Sequence, residues 1–285
     1  MKKISLLLAV IMVVALFAAC GKDPTPEVIT PAATTAATDP ATEPATEATT
    51  TEETPVEVDG KTKSEGVMDY ATFMAAEAKA DVVIEGFVQA KFEYSTAYGN
   101  ASLYLADDDG AYFVYRWKCT EEEYNAVEIG AKVQVKGVRA NYAGEEEVSA
   151  PDGGVIEVTV IGTDKKLYDA IDVTAKLGTD DLVKDQNKKA TFKGLKVVAS
   201  KDPDGKDVAW LYSYNGTGSE GSDVYVNFEL DGKTYTFLVE SDFCGVSTDV
   251  YKAIRELQIG DVVDIEGFVY WYNGINTHIT AITKK

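Results

Sequence analysis

Residues 129–144 read IGAKVQVKGVRANYAG, and residues 259–274 read IGDVVDIEGFVYWYNG. An isoleucine, a valine, a tyrosine and three glycines recur between the two stretches at a constant offset of 130 residues. Each stretch begins with a glycine turn, continues as a strand that alternates apolar and polar side chains, and ends in a glycine-containing hairpin. A glycine inside such a strand is typical of a bulge or bend, which small barrels need at their corners. The repeat therefore predicts two copies of one small β-barrel.

The segments around the first stretch supply the other elements of the first copy. Apolar residues between Met68 and Lys79 recur at helical spacing and predict a leading helix, capped by Asp69 or Ser64. We then expect a long strand at 81–92 broken by Gly86, strands at 101–105 and 112–117 joined by a turn at 107–110, a short helix at 120–127, a strand at 132–140, and a closing strand within 146–160. Thr120 and Glu123 have the spacing of a capping box at the start of the short helix.

The second copy follows the same order but is longer. Thr179 is expected to open its leading helix, residues 189–198 to form the long strand broken by Gly194, and residues 248–257 to form the later helix. The separation of the strand glycine from the repeated glycine is 51 residues in the first copy and 73 in the second. We assign these extra residues to a Gly/Ser-rich insertion at 213–223 and to an added hairpin at 224–239 with an Asp-Gly turn.

This order of elements is that of the OB-fold, a five-stranded Greek-key barrel. The chain resembles the tandem OB-fold surface lipoproteins of Gram-positive bacteria in Gly86-Phe87-Val88, in residues 107–113 and 129–144, and in their second-copy counterparts. The resemblance covers about residues 64–285 and implies a mainly β fold of two tandem OB-fold-like barrels, without naming a ligand. It divides the chain into a signal (1–20), a linker (21–63) and barrels at 64–162 and 163–285. Two generic β-sandwich modules are the alternative, which the central helix and the bent first strand disfavour.

The N-terminus has the pattern of an export signal. Lys2 and Lys3 precede an uncharged apolar run from Ile4 to Ala19, which is short for a membrane span of about 20 residues. The segment Leu16-Phe-Ala-Ala-Cys20 resembles the lipobox of bacterial lipoproteins, although Phe17 stands where leucine is usual. That resemblance implies that Cys20 is lipidated and becomes the mature N-terminus. We therefore expect a lipid-anchored protein on the outer face of the cytoplasmic membrane.

The segment after this cysteine is rich in threonine, alanine, proline and glutamate and contains almost no large apolar side chain. Such a composition buries too little surface to offset the entropy of ordering, which predicts an unstructured linker. The net charge of the whole chain is −20. Residues 61–162 carry 9 basic and 18 acidic side chains, and residues 163–285 carry 15 and 20. Neither barrel therefore has the basic surface that non-specific nucleic-acid binding needs.

Catalytic and metal-binding patterns are weak in this sequence. His278 is the only histidine, which gives no partner for a histidine metal site or a Ser-His triad, and we interpret it as a polar residue at a barrel surface or end. The acidic turns at 107–109 and 202–207 lack the bidentate glutamate of a calcium loop. We expect no enzyme activity, no metal and no cofactor. Cys119 and Cys244 are either small buried side chains or a disulfide between the copies.

Aromatic side chains at the loops give the one candidate binding site. Tyr94 and Tyr98 follow the first strand of copy one, Tyr142 lies in its last hairpin, and Tyr270, Trp271 and Tyr272 lie in the last hairpin of copy two. In OB-folds these loops and the second and third strands form the usual ligand face. Aromatic rings there stack on sugars or bases, although the same rings could simply pack their own hairpins.

These observations predict a non-enzymatic, surface-anchored binding module for a glycan, a peptide or a partner protein. A protein that binds single-stranded nucleic acid outside the cell, and an accessory domain of a surface hydrolase system, are the alternatives. The acidic charge makes nucleic acid the less favoured ligand. The sequence does not indicate an oligomeric state.

Overall fold

The computed structural model describes residues 62–285, and all of these residues belong to one compact unit. The predicted signal, Cys20 and nearly all of the predicted linker lie outside the described residues. Within the described range, no helix has both the length and the apolar character that crossing a bilayer requires.

The first half of the described chain forms barrel 1. Its elements are α1 (Tyr70–Ala75), β1 (Asp81–Lys91), β2 (Asn100–Ala106), β3 (Ala111–Lys118), α2 (Glu121–Ala126), β4 (Ala131–Tyr142), β5 (Glu145–Ser149) and β6 (Glu157–Lys165). The sheet runs β1-β2-β3-β5-β4 and closes through β1–β4 pairing, with β3 and β5 parallel. The fifth strand is interrupted, so β6 pairs with the first half of β4 and β5 with the second half.

The second half forms barrel 2 with the same connectivity. Its elements are β7 (Ile171–Asp172), 3₁₀ turns at Thr174–Lys176 and Leu182–Asp185, β8 (Lys189–Val198), β9 (Ser200–Lys201), β10 (Asp207–Val208), β11 (Trp210–Tyr212), β12 (Val224–Leu230), β13 (Lys233–Val239), α3 (Asp249–Arg255), β14 (Val262–Phe268) and β15 (His278–Lys284). The closed circuit is β8-β12-β13-β15-β14, again with one parallel pair, β13–β15. The predicted fold class, two tandem OB-fold-like barrels, is confirmed.

Side chains cap each of the three α-helices within residues 62–285, and the sequence predicts two of these caps. The Asp69 carboxylate accepts the Thr72 N–H at 2.7 Å, and Thr120 and Glu123 form a complete capping box. Thr248 caps α3 in the same way. The leading helix expected from Thr179 is only one 3₁₀ turn, because Gly178 (φ 80°) and Asn187 (φ 68°) leave the helical conformation on either side of it.

The growth of the second copy includes the predicted insertion at 213–223 but not the predicted added hairpin. The hairpin at 224–239 is not an addition, because β12 and β13 are the second and third barrel strands and pair along their whole length. The added residues instead form a long loop at 199–223 that contains β9, β10 and β11. The alternating pattern of the hairpin is equally compatible with either assignment, and only the closure of the barrel distinguishes them.

Each barrel has its own apolar core, and a third apolar cluster lies between them. The first core includes Leu103, Leu105 and Val133, and the second includes Phe192, Phe228 and Phe237. The third cluster consists of buried side chains from both barrels: Ala90, Phe92, Tyr104, Phe113 and Phe268. Three partly buried aromatic residues pack at its edge: Tyr115, Phe243 and Tyr270. This cluster decides which ligand face of the protein is open.

Candidate binding groove on barrel 2

The usual OB-fold ligand face exists twice in this chain. In barrel 1 it comprises β2, β3, the loop at 92–99 and the hairpin between β4 and β5. In barrel 2 it comprises β12, β13, the loop at 199–223 and the loop at 269–277. The two faces have different surroundings.

The ligand face of barrel 1 is covered by barrel 2. Tyr104 of β2 stacks on Phe268 of β14, with ring centroids 4.2 Å apart and planes 8° from parallel. Phe92, in the loop after β1, stacks on Phe243 of barrel 2 with ring centroids 4.7 Å apart. Offset and edge contacts of this kind add to the burial of the rings and hold the two surfaces in one register. The face that could bind a ligand in barrel 1 is therefore a barrel–barrel interface.

The two repeated hairpins meet at the same junction. The Asn273 N–H donates to the Ala143 carbonyl at 2.6 Å, and the Trp271 N–H donates to the Glu145 carboxylate at 2.9 Å. The Trp271 ring lies against Gly144, where an added Cβ would come within 2.7 Å of the ring. The repeated glycine of copy one therefore leaves room for an aromatic side chain of copy two.

The six predicted ligand residues do not form one site. Tyr142 and Tyr272 contact each other across the junction at 6.0 Å, and Tyr270 and Trp271 are half-buried in it. Trp271 also packs against the core of barrel 2, so truncating it would remove buried contacts. Tyr94 is also half-buried, since its hydroxyl donates to the Cys119 carbonyl and its ring contacts Tyr124.

Of the predicted residues, three remain exposed: Tyr98 on the first loop of barrel 1, Tyr142 at the edge of the junction, and Tyr272 beside a groove. A ligand-binding role for any of the six is still a prediction. Tyr272 is the best placed of the six for such a role, because it alone among them lines the open ligand face of barrel 2.

His278 is buried in the junction, so the interpretation as a surface or end residue is wrong. Its Nδ1 lies 2.8 Å from the Tyr104 hydroxyl, and its ring stacks on Tyr270 at 4.1 Å. Burial lowers the pKa of His278 to about 3, because the imidazolium would be desolvated there. The ring is therefore neutral at ordinary pH and acts as a hydrogen-bonding spacer between the barrels.

Cys119 and Cys244 are both free and buried, so the disulfide alternative is not realised. Burial raises the pKa of each thiol to about 11, which leaves both thiols protonated and unreactive at neutral pH. They fill space as small apolar side chains do.

The ligand face of barrel 2 is open and forms a groove of about 870 Å³. We call it the barrel 2 groove, and its lining comes from both loops and both central strands: Ser200, Lys201, Leu211, Tyr214, Tyr225, Asn227, Thr236, Tyr272 and Asn276. Three tyrosines line it, of which Tyr214 is 77% exposed and Tyr272 49% exposed. Volumes of this size are typical of small-molecule and oligomer sites.

The floor of the groove offers neutral hydrogen-bonding groups. The Thr236 hydroxyl donates to the Asn227 side-chain oxygen at 2.7 Å, which fixes the amide and directs its N–H donors away from Thr236. Burial, with the nearby Asp223 charge, raises the pKa of Tyr225 to about 12, so this phenol also remains a donor. Lys201 is the one charged residue in the lining, and Asp207 pairs with it at 2.7 Å.

The long loop at 199–223 positions Tyr214. Its base is fixed by the Ser213 N–H, which donates to the Asp223 carbonyl at 2.8 Å, and by the Tyr251 hydroxyl, which donates to the Ser222 carbonyl at 2.7 Å. Ser213 has a positive φ of 57°, and this turn leaves the next ring in solvent. Tyr214 lies in the stretch at 213–223 that the sequence indicates only as a Gly/Ser-rich insertion, and it was not among the predicted ligand residues for that reason.

The other groove residues were missed because they lie on alternating strand positions. Tyr225 and Asn227 are the outward residues of β12, between the core residues Val224, Val226 and Phe228. Correct assignment of β12 and β13 as central barrel strands would have placed these outward residues on the ligand face. Among residues 62–285, no group of three or more His, Cys, Asp or Glu side chains is arranged to hold a metal ion.

No family model and no curated protein matches this chain. Solved structures with low similarity include a murine DNA-binding protein bound to double-stranded DNA, at 12% identity over 71% of this chain and 97% of that chain, with a TM-score of 0.31. The HINa domain of Ifi202 bound to double-stranded DNA has 8% identity over 72% and 99%, with a TM-score of 0.32. A replication protein A heterotrimer bound to single-stranded DNA has 13% identity over 79% and 51%, with a TM-score of 0.29. Similarity this low bears no weight in assigning a ligand.

Proposed function

We propose that this protein is a non-enzymatic binding protein whose barrel 2 groove binds an uncharged polymer. A glycan is the first candidate ligand. The observation that supports this most is the open ligand face, in which the exposed Tyr214 and Tyr272 rings border a floor of amide and hydroxyl groups that includes Tyr225. Tyrosine rings stack on the apolar faces of sugar rings, and amides bond sugar hydroxyls. OB-folds use this face for oligosaccharides as well as for oligonucleotides.

Charge favours a neutral ligand over a phosphate backbone. The groove has a single lysine in its lining, which already pairs with Asp207, and the barrel 2 half of the chain is acidic overall. A polyanion bound there would release few counterions and would meet net repulsion. Single-stranded nucleic acid is the second candidate, because tyrosine rings stack on bases in the same way.

Tyr214→Ala and Tyr272→Ala are expected to weaken glycan binding by about 5- to 100-fold each, the range for loss of one stacking ring. Binding is measured by titration calorimetry with a panel of neutral gluco-, manno-, xylo- and chito-oligosaccharides, beside a short poly-dT strand. Tyr98→Ala is the matched control, since this tyrosine is equally exposed, at 77%, but lies on barrel 1 away from the groove. Its affinity should equal that of the unchanged chain.

The two ligand classes respond differently to salt. Binding of poly-dT that falls steeply as salt rises, with no oligosaccharide bound, would replace the glycan by nucleic acid as the ligand. Equal losses in all three tyrosine variants, or no loss in any of them, would exclude the barrel 2 groove as the binding site.

We further propose that lipid on Cys20 holds the protein at the outer face of the cytoplasmic membrane. The support is the apolar run that ends in small residues directly before this cysteine. A single acyl chain gives only marginal anchoring, so we expect a diacylated cysteine.

Cys20→Ala should abolish labelling by a fatty-acid probe and leave the signal segment uncleaved. Fractionation and mass measurement of the two forms test this prediction. If the unsubstituted protein is not labelled by the probe and its mass still includes residues 1–19, the protein is not a lipoprotein.

A further inference from the structure

The barrel junction contains acidic side chains of both barrels. Glu145 and Glu147 lie on the outward side of β5, and both are buried because barrel 2 covers that side. Glu240 follows β13 of barrel 2 and approaches His278, with 3.4 Å between its carboxylate and Nε2. Outward residues of a barrel strand are normally solvated, so Glu145 and Glu147 lose their water when the barrels dock, whereas Glu240 keeps 28% of its side chain exposed and is only partly desolvated.

Positive charge at this junction is scarce. Arg116 is the basic residue that acts electrostatically on both Glu147 and Glu240, and its own side chain is exposed. Glu145 Oε2 accepts the Trp271 N–H, and the Asn187 side chain also favours the charged form of this carboxyl, but burial outweighs both and raises the pKa of Glu145 well above its usual value. An ionised carboxylate without a close cation is costly in such a place, and a protonated carboxyl is not.

The other groups around these carboxyls are acidic side chains, an ion pair, phenols and one imidazole. Asp223 and Asp242 add negative charge beside Glu240, and Glu146 pairs with Arg139 at 2.7 Å. The phenols around the junction stay neutral, because burial raises the pKa of each of them: Tyr104, Tyr115 and Tyr270. His278 is neutral in the docked form, and its protonation in separated barrels would weaken the docking as the pH falls through about 6.5.

We propose that the junction is a proton-dependent latch, in which Glu147 and Glu240 are protonated while the barrels are docked and weaken the docking when they release their protons. The inference concerns the contact between the barrels and does not depend on the ligand of the barrel 2 groove.

The pH window follows from the direction of the shifts. Burial raises the pKa of Glu147 to about 7, partly offset by Arg116, and burial with Asp223 and Asp242 raises that of Glu240 to about 8. In a separated or unfolded chain both groups ionise near pH 4.5. Both carboxyl groups of the docked form therefore bind extra protons between these values, so the docking weakens as the pH rises through 7 and 8.

Two backbone amides report the latch directly, since the Trp271 and Asn273 N–H groups bond to barrel 1. Their hydrogen-exchange protection factors, corrected for the intrinsic rate, are measured by NMR on the full chain at about pH 6 and about pH 8.5. We expect the protection factors of both amides to fall about tenfold or more across this range. The reason is that each carboxyl group that is protonated only in the docked form weakens the docking about tenfold for every pH unit above its pKa. The amides of Val135 and Ile265, inside the two barrels, should fall much less.

The variant Glu147→Gln with Glu240→Gln should lose most of this pH dependence, because glutamine is neutral at every pH. Glu157→Gln is the matched control, since this residue is exposed and pairs with Lys136 on the far edge of barrel 1, and it should keep the full fall. Should the double variant not fold, Glu240→Gln alone must still reduce the fall. Three results would overturn the latch. They are protection of the Trp271 and Asn273 amides that does not change with pH, an equal fall at all four amides, and an unchanged fall in the glutamine variants.

Discussion

Tyr104→Ala is expected to lower the free energy of unfolding by about 3–5 kcal/mol, the usual cost of truncating a buried aromatic side chain. Tyr104 is fully buried although it points away from the core of its own barrel. Its ring stacks on Phe268, and its hydroxyl bonds to His278. Truncation would leave a cavity between the barrels and an unpaired imidazole nitrogen beside it. Urea denaturation of the full chain measures the loss.

Two further variants separate the causes. Tyr104→Phe keeps the stack and removes only the hydrogen bond, so its cost should be about 1–3 kcal/mol. Tyr142→Ala removes an aromatic ring from the exposed edge of the same junction, where 57% of the side chain is in solvent, and should cost less than about 1 kcal/mol. If Tyr104→Ala and Tyr142→Ala lost the same stability, the two barrels would not be packed through Tyr104 in solution.

The fold could be predicted because its signals are local. The repeated glycines, the capping box at Thr120 and the alternation of β4 and β14 each depend on residues close in sequence. Closure of the second barrel was harder, since the loop at 199–223 separates the first strand from the second. An insertion of that length hides which hairpin belongs to the barrel.

The sequence does contain a pattern that indicates burial of the barrel 1 ligand face. In β2 and β3 both sides are apolar, as in Leu103-Tyr104-Leu105 and Tyr112-Phe113-Val114. Strands that are apolar on both sides are typical of sheets covered on both faces. Glu145 and Glu147, on the outward side of β5, obscured the signal because charged residues ordinarily indicate a solvated face.

The candidate site could be predicted only as a choice between two equivalent faces. The sequence shows tyrosines at the loops of both copies, and each copy alone would present the same groove. Which face stays open depends on contacts between residues far apart in the chain, such as Tyr104 with Phe268. No local pattern encodes that pairing, so the residues of barrel 1 and barrel 2 were given equal weight.

Gly267→Ala is expected to cost about 3 kcal/mol, at the upper end of the usual range for overpacking. An added Cβ at Gly267 would lie 2.3 Å from the His278 carbonyl oxygen, a backbone atom that can move only if β15 moves. The equivalent Gly137 has the same restriction, since its Cβ would lie 2.7 Å from the Ser149 carbonyl oxygen. Close approach of the fifth strand therefore explains why this glycine recurs in both stretches. Thermal and urea unfolding of the variant measure the cost.

Glu266→Ala is the control on the same strand. This side chain is partly exposed and forms a surface ion pair with Lys189, which is worth about 0–1 kcal/mol. The ladder between β14 and β15 changes register between Glu266 and Gly267, so a bulge could also require the glycine. The φ angle of Gly267 is not in the positive range, however, so alanine can adopt this backbone conformation. A Gly267→Ala variant as stable as Glu266→Ala would show that the fifth strand yields to a methyl group, and the recurrence of the glycine would then need another cause.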